Sequence, residues 1–313
     1  MSSASSNKGN LSASPLEGAC SNREIKAQAR RLGFVACGMA KAEPVPETVA
    51  DYYRRWLALG NCADMDYMRR NIEMRFNPEL LVPGVRTIVS LAINFMPSRQ
   101  QPAISLYAQG KDYHDVMKER MRQLMEALGL EGRCFVDTAP VMERYWAWRC
   151  GVGEIRRSGM VSVPGYGPTV FLGELFLTAD ADQYDKPLGE ATVPTEGWQQ
   201  LCPALTPDGL DARRCMSYMT IEHRGPLPDD LPLRQTFYGC DRCLRATQDF
   251  PEAHPTEIIE FEPSDALLSM TPDDWKSLTI ERYRELFRGS AVKRAKYEGL
   301  MRNINHYYST SNH

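Results

Sequence analysis

The sequence predicts an α/β fold, and three observations carry that reading. Short β-branched and aromatic runs alternate with longer segments of helical apolar spacing from residue 21 to about 182. Each such run is bounded by turn-forming residues. Beyond residue 181 the periodicity fades, and Pro and Gly become frequent up to about 251. Taken in order, residues 25–32 have helical spacing and stop at Gly33, and the apolar segment 34–39 follows. Residues 47–59 form a second helical pattern. TIVSLAINF (87–95) reads as a strand and 113–128 as a long amphipathic helix. A short strand is expected at 133–136, a helix at 140–150 and a strand again at TVFLGELFLT, 169–178. Residues 263–308 return to helical patterning and end in a basic helix with Lys293, Arg294, Lys296 and Arg302.

Composition sets the bounds. Of 313 residues, 43% are hydrophobic and 25% charged, enough for a sizeable core in two modest domains or one large one with an appendage. A net charge of −3 gives no global basic field, so any nucleic-acid contact must come from a local patch. No run of about 18 apolar residues exists to form a spanning helix. Residues 1–18 are rich in Ser, Asn, Ala and Gly and lack an apolar stretch, so they read as a disordered tail and not as a signal peptide. The expected location is cytoplasmic, with cysteines reduced unless they hold metal. Cys20, Cys37, Cys62, Cys134 and Cys150 stand singly and suit small core or surface roles. There is no P-loop, no G-x-S-x-G elbow and no H-E-x-x-H, and the Gly151-x-Gly153 fragment lacks the third glycine of a dinucleotide fingerprint.

The other four cysteines cluster in the irregular region. Cys240-Asp-Arg-Cys243 is a C-x-x-C pair from which two thiolates can grip one metal across a tight turn. Cys202 precedes Pro203, as the last cysteine of a ferredoxin run does, and Cys215 follows Arg213-Arg214. Four thiolates suit an iron–sulfur cluster or a structural zinc; the bland alternative is unliganded cysteines that merely fall close in sequence.

From residue 25 to 304 the sequence resembles the epoxyqueuosine reductases. The matching stretches are MDYMRRN, RFNPELLVPGVRTIVSLAINF, YAQGKDYH, FVDTAPVMER, VFLGELFL, LDARRCMSYMTIEHRGPLP, YGCDRC and GSAVKRAKYEGLMRNI. The resemblance implies a cobalamin-binding α/β domain (21–182) and a ferredoxin-like iron–sulfur module (183–255), then a C-terminal helical segment (256–313), with residues 1–20 as tail. It is a short form, without the C-terminal helical repeats of larger members. The implied activity is reduction of epoxyqueuosine to queuosine in the tRNA anticodon loop. The implied partners are a tRNA carrying epoxyqueuosine and an external electron donor, with no membrane.

Two departures stand out. The family's C-x-x-C-x-x-C-x-x-x-C-P run has Thr192, Thr195 and Trp198 at its first three positions here, and its second run reads Cys240, Cys243 and then Thr247-Gln248. In two-cluster ferredoxins the fourth cysteine of each run ligates the other cluster, so the four missing positions are one complete ligand set. Cys202, Cys215, Cys240 and Cys243 are the complete set of the other, which implies a one-cluster variant with a single [4Fe-4S]. In addition, residues 153–158 read Gly-Glu-Ile-Arg-Arg-Ser where the family has Gly-Trp-Ile-Gly-Lys-Asn. A charge replaces an apolar ring at Glu154, while Arg156 and Arg157 keep positive charge available to phosphate.

The family match makes Asp137 the proton donor to the carbon left after epoxide opening, a role that calls for a raised pKa beside a large apolar cofactor. The competing reading is a cap for a helix beginning at Pro140. Tyr107 and Asp112 to His114 are expected along the cofactor or anticodon pocket, and Thr220, Glu222 and Asp241 between the metal module and the cofactor. Tyr145, Trp146 and Trp148 suit either stacking on anticodon bases or core packing. The activity has an alternative of another class, a cobalamin-binding or electron-transfer protein that kept the fold and one cluster but lost epoxide reduction.

Overall fold

The computed structural model describes residues 20–189, 202–233 and 236–310. Its centre is a four-stranded sheet of β1 (Ala36–Lys41), β2 (Thr87–Asn94), β3 (Gly132–Phe135) and β6 (Val170–Leu177), in the order β1-β2-β6-β3. Two short hairpins, β4 (Glu154–Ile155) with β5 (Val161–Ser162) and β7 (Leu205–Thr206) with β8 (Gly209–Leu210), lie outside it. The helices are α1 (Asn22–Arg31), α2 (Glu47–Ala58), α3 (Ile72–Phe76), α4 (Pro78–Leu81), α5 (Tyr113–Leu128), α6 (Glu143–Arg149), α7 (Met216–Ile221) and α8 (Arg242–Arg245). They continue with α9 (Asp265–Leu268), α10 (Pro272–Lys276), α11 (Ile280–Leu286) and α12 (Lys296–Thr310). None of these helices is long and apolar enough to cross a membrane.

Strand alternation builds two cores, one on each face of the sheet. Val89, Leu91, Ile93 and Leu175 meet Ile25 and Ala29 of α1 and Met117, Met121 and Leu124 of α5. Ile88, Ala92, Phe135 and Phe176 meet Tyr53 and Leu57 of α2 and Trp146 of α6 on the other side. This sandwiching explains why β2 is buried at every position. All three ladders are antiparallel, with Val89 opposite both Met39 and Leu175. The α/β layering is therefore as expected. The rule that places ligands at the carboxyl ends of parallel strands does not apply, and loop convergence positions the site instead.

A tight approach fixes α6 to β1. A Cβ placed on Gly38 would sit 1.9 Å from the Cys150 carbonyl oxygen. Gly38→Ala is expected to destabilise the fold by about 2 kcal/mol, read as a lower urea midpoint at unchanged slope; an unchanged midpoint would contradict this packing.

A third core unites the loop at 103–108, the cysteine region and the C-terminal helices through Ile104, Ile221, Tyr238, Trp275, Val292 and Leu300. From α12, Arg302 donates to the carbonyls of Met219, His223 and Gly225, and Asn303 to those of Thr220 and Phe237. A region short of apolar residues is thus held by its neighbours. Three boundaries differ from expectation. Cys20, assigned to the tail, is buried and pairs with strand-like backbone at Asp180 and Asp182. The helix expected from Pro140 starts at Glu143, because Val141 closes a turn onto Ala139 first. Lys293 and Arg294 lie in a 3-10 turn, Ala291–Ala295, which Lys296 ends at φ +60°. Residues 1–19 and the positions Thr192, Thr195 and Trp198 lie outside the described residues.

Candidate active site

Asp137 follows β3 at the centre of a three-residue turn, in which the Thr138 N–H reaches the Val136 carbonyl at 2.6 Å. Its φ is +55°, a left-handed conformation that Asp tolerates better than most residues and that costs on the order of 1 kcal/mol or more. The Asp137 N–H donates to Glu143 Oε1, across the first turn of α6. This is the reverse of a helix cap: α6 has Met142 at its N-cap position, with no side-chain cap bond. The capping alternative therefore fails, and the turn presents a carboxylate whose side chain is 60% exposed.

Behind it stands a chain of charge. Asp112 caps α5 and is 5% exposed; its Oδ1 faces His114 Nδ1 at 2.6 Å, and its Oδ2 accepts from Lys293 Nζ at 2.8 Å. His114 Nε2 lies 3.3 Å from Asp137 Oδ2. Burial pushes the Asp112 carboxyl up, but the bonds from His114 and Lys293 win and hold it well below its ordinary range. Burial opposes charge on His114, and the two carboxylates overcome it, raising the imidazole to about 9. The His114 hydrogen bond leads the causes that hold Asp137 below its ordinary value, with help from Tyr113 and Arg144. The raised pKa expected of Asp137 is thus absent from the structure, because a cation stands beside it. Tyr113 stacks on Phe171 at 4.2 Å and on His114 at 4.1 Å, which fixes the imidazole plane.

Two glutamates escaped the sequence reading. Burial and the Asp137 charge push Glu143 up to about 7. Glu174 on β6 is fully buried, accepts from the Ser90 hydroxyl at 3.2 Å, and is pushed well above its ordinary value by burial and then by Glu143. The signal for Glu174 was present: a single acid within the apolar run VFLGELFL.

The four clustered cysteines come together, close enough for their charges to act on one another. Cys202 precedes β7, Cys215 opens α7, and Cys240 and Cys243 flank the start of α8. Burial first, and then the neighbouring sulfurs including Cys202, push the thiols of Cys215 and Cys240 up and that of Cys243 up to about 12. Backbone N–H groups of Ser217 and Tyr218 favour the Cys215 thiolate, and that of Arg242 the Cys240 thiolate. Among the described residues no three His, Cys, Asp or Glu side chains close around one point as a single ion requires. Gly239 turns at φ +77° against Ser105, with room for no side chain. Arg144 joins the two halves, since its charge is felt by both Asp137 and Cys243.

With this geometry in place, comparison with known proteins is decisive. A family model for epoxyqueuosine reductase QueG, DUF1730, matches residues 75–138. An epoxyqueuosine reductase of Cellulophaga algicola is 35% identical over 296 residues, spanning 90% of this chain and 95% of that protein. One from Leadbetterella byssophila is 36% identical over 298 residues, spanning 90% and 97%. The chain belongs to the epoxyqueuosine reductase family.

The fold agrees: a selenomethionine-labelled epoxyqueuosine reductase crystal structure superposes with a TM-score of 0.82 at 24% identity, over 92% of this chain and 81% of that one. A second, crystallised with an epoxyqueuosine-modified tRNA stem loop, gives 0.81 at 24% identity, over 92% and 80%. Against this family of oxidoreductases the remaining expected residues can be placed. Tyr107 is partly buried, its hydroxyl bonded to Tyr238, and it feels the Asp137 charge from the cleft wall. Asp241 accepts from the Leu106 N–H at 3.0 Å and so ties the cysteine turn to the Tyr107 loop. Thr220 is fully buried, its hydroxyl donating to the Met216 carbonyl and accepting from the Gly239 N–H. Glu222 is consumed by a bidentate pair with Arg294, both bonds 2.8 Å. Trp146 is core; Tyr145 packs partly against it, and Trp148 bonds the Gly189 carbonyl.

The departures from the epoxyqueuosine reductase pattern touch one another. Arg156, expected to be free for phosphate, is held between Glu154 at 2.6 Å and Asp249 at 2.5 Å. The Ser158 hydroxyl bonds that of Thr247 at 2.8 Å, both buried, and Thr247 donates back to the Cys243 carbonyl. Residues 154–158 are therefore stapled to the segment following Cys243 by polar bonds.

Proposed function

We propose that this chain reduces epoxyqueuosine to queuosine in tRNA, with Asp137 as proton donor and Cys202, Cys215, Cys240 and Cys243 holding one [4Fe-4S] cluster. The observation that supports the reading is that Arg144, beside Asp137 at the β3–α6 corner, stands near enough for its charge to reach both Asp137 and Cys243 of the cysteine group. The donor set fits a cluster: four cysteine sulfurs close enough to sense one another, with backbone N–H groups aimed at two of them. Residues 21–182 then form the cofactor-binding α/β domain, 183–255 the iron–sulfur module and 256–313 the helical segment that braces it.

The cleft walls also suit cobalamin. Tyr107 and Tyr113 supply an aromatic wall, and Tyr67 lies at the mouth beside Arg294. Bound there, cobalamin would supply the low-valent metal centre that carries electrons from the cluster to the epoxide. The protein's own part is positioning and proton supply. The left-handed turn aims Asp137 into the cleft, Glu143 anchors that turn, and Tyr113 holds the adjacent imidazole in plane. Positive charge for tRNA phosphates must come from a local patch, given the net charge of −3, and Arg144 beside Asp137 is placed to contribute to one. Removing an epoxide oxygen to leave the alkene takes two electrons and two protons and releases water. An external one-electron donor must therefore refill a single cluster twice per turnover.

The test is direct. Anaerobically reconstituted protein, supplied with cobalamin, a low-potential reductant and tRNA bearing epoxyqueuosine, is expected to yield queuosine, detected by mass spectrometry of the digested nucleosides as loss of one oxygen. Tight cobalamin binding with the epoxide intact would support the electron-transfer alternative instead.

A further inference from the structure

His114 lies between two carboxylates. Asp112 is ionised, so it offers only acceptors, and the 2.6 Å contact requires His114 Nδ1 to donate. The Asp137 carboxylate faces the other nitrogen, Nε2, at 3.3 Å, and a second acceptor there favours an N–H on Nε2 too. An imidazole that donates from both nitrogens is an imidazolium. Held between two carboxylates, His114 is the group of this cluster best placed to carry a proton, and the more exposed carboxylate of Asp137 to receive it.

We propose that His114 is the proton store of the site: it passes its Nε2 proton to Asp137 Oδ2, from which the proton reaches the substrate. This rests on the reading of Asp137 as proton donor. The balance is complete within the reaction already described. The N–H bond of His114 breaks with its electron pair staying on Nε2, and an O–H bond forms on Asp137. That bond breaks in turn as the epoxide oxygen takes the proton. An alkoxide is a stronger base than imidazole, so the overall transfer runs downhill. Two electrons from the one-electron donor and two such protons release the oxygen as water. His114 is 22% exposed and regains its proton from solvent, while Asp112 keeps Nδ1 protonated and Lys293 holds Asp112.

The groups facing His114 come from every side. Asp112 and Tyr113 belong to its own helix and cap, and Asp137, Glu143 and Arg144 to the β3–α6 corner. Lys293 comes from the turn before α12 and Tyr107 from the opposite wall. The imidazole, raised to about 9, holds its charge across the neutral range. The stability that this charge contributes is fully present below about 6.5 and, like the proton itself, is lost as pH rises through about 9.

His114 touches Asp137 and not the substrate, so it is a positioning and proton-storing residue, and the test must separate storage from shape. Single-turnover reduction of epoxyqueuosine tRNA is measured from pH 6 to 10 in wild type, His114→Gln and His114→Gly. Wild type is expected to lose rate above pH about 9. His114→Gln keeps hydrogen bonding but carries no proton, so it should lose on the order of 100-fold in rate, together with the basic limb. Added imidazole should restore His114→Gly saturably. A Gln variant with wild-type rate and an unchanged basic limb would overturn the proposal, as would a folded Gly variant that imidazole leaves inactive. If wild type itself leaves the epoxide intact, the functional reading fails and the imidazole 15N titration decides this one. A His114 midpoint near 9 that falls in Asp137→Asn supports storage, and the ordinary midpoint of about 6.5 overturns it.

Discussion

Asp137→Asn is expected to lower single-turnover epoxide reduction by about 10²- to 10⁴-fold while leaving the fold and cobalamin binding nearly intact. Asparagine tolerates the φ of +55° that this position demands, and its N–H still reaches Glu143, so the turn should survive. The Asp137 side chain is 60% exposed, so losing its charge pair with His114 should cost about 1 kcal/mol or less. What disappears is the oxygen that takes and gives the proton. The variant also has a signature at a distance: with one of its two carboxylates gone, His114 should titrate below its value of about 9. Its contribution to stability would then fade at a lower pH than in wild type, as a raised cationic group requires. Parallel melting curves, cobalamin titration and nucleoside analysis check these points. Joint loss of activity and cobalamin binding would make Asp137 a structural residue, and unchanged activity would remove it from the mechanism.

Cys243→Ser is expected to strip the metal site. Wild type purified without oxygen should be brown, bleach with dithionite and hold about four irons per chain, as one [4Fe-4S] cluster requires; the variant should be colourless with far less than one iron. The thiol of Cys243 is pushed up to about 12, and those of Cys215 and Cys240 are also raised, so metal binding at these three must displace protons. Cluster retention should accordingly fall as the pH drops below neutral. Stability should fall with it, because this region has few apolar residues of its own and leans on metal and on α12. Colourless wild-type protein carrying one zinc per chain would refute the cluster and make the module purely structural.

Where local pattern decides structure, sequence and structure agree closely. The helix expected at 113–128 ends where α5 ends, because Asp112 is a good cap and Gly129 a good stop. The strands at 87–95 and 169–178 fall within a residue of β2 and β6, because apolar β-branched runs have few other uses. Agreement fails where one side chain's fate depends on a distant one. Arg156 looked available for phosphate, yet Asp249, 93 residues on, claims it. Glu222 looked like a cofactor contact, yet Arg294 takes both its oxygens. Asp137 was expected to carry its own raised pKa, and the imidazole of His114 reverses the sign.

By itself the sequence determined the α/β layering, the membership in the epoxyqueuosine reductases and the identity of the four cysteines, since these rest on residue type and spacing along the chain. Only the tertiary structure decided that the sheet is antiparallel, that the four cysteines gather near one another, and that His114 lies between the carboxylates of Asp112 and Asp137. The physical reason is that charge and hydrogen bonding act through space. Asp112, His114, Asp137, Glu143 and Lys293 come from three separate parts of the chain, and each sets the protonation of the next only after folding brings them within a few ångströms.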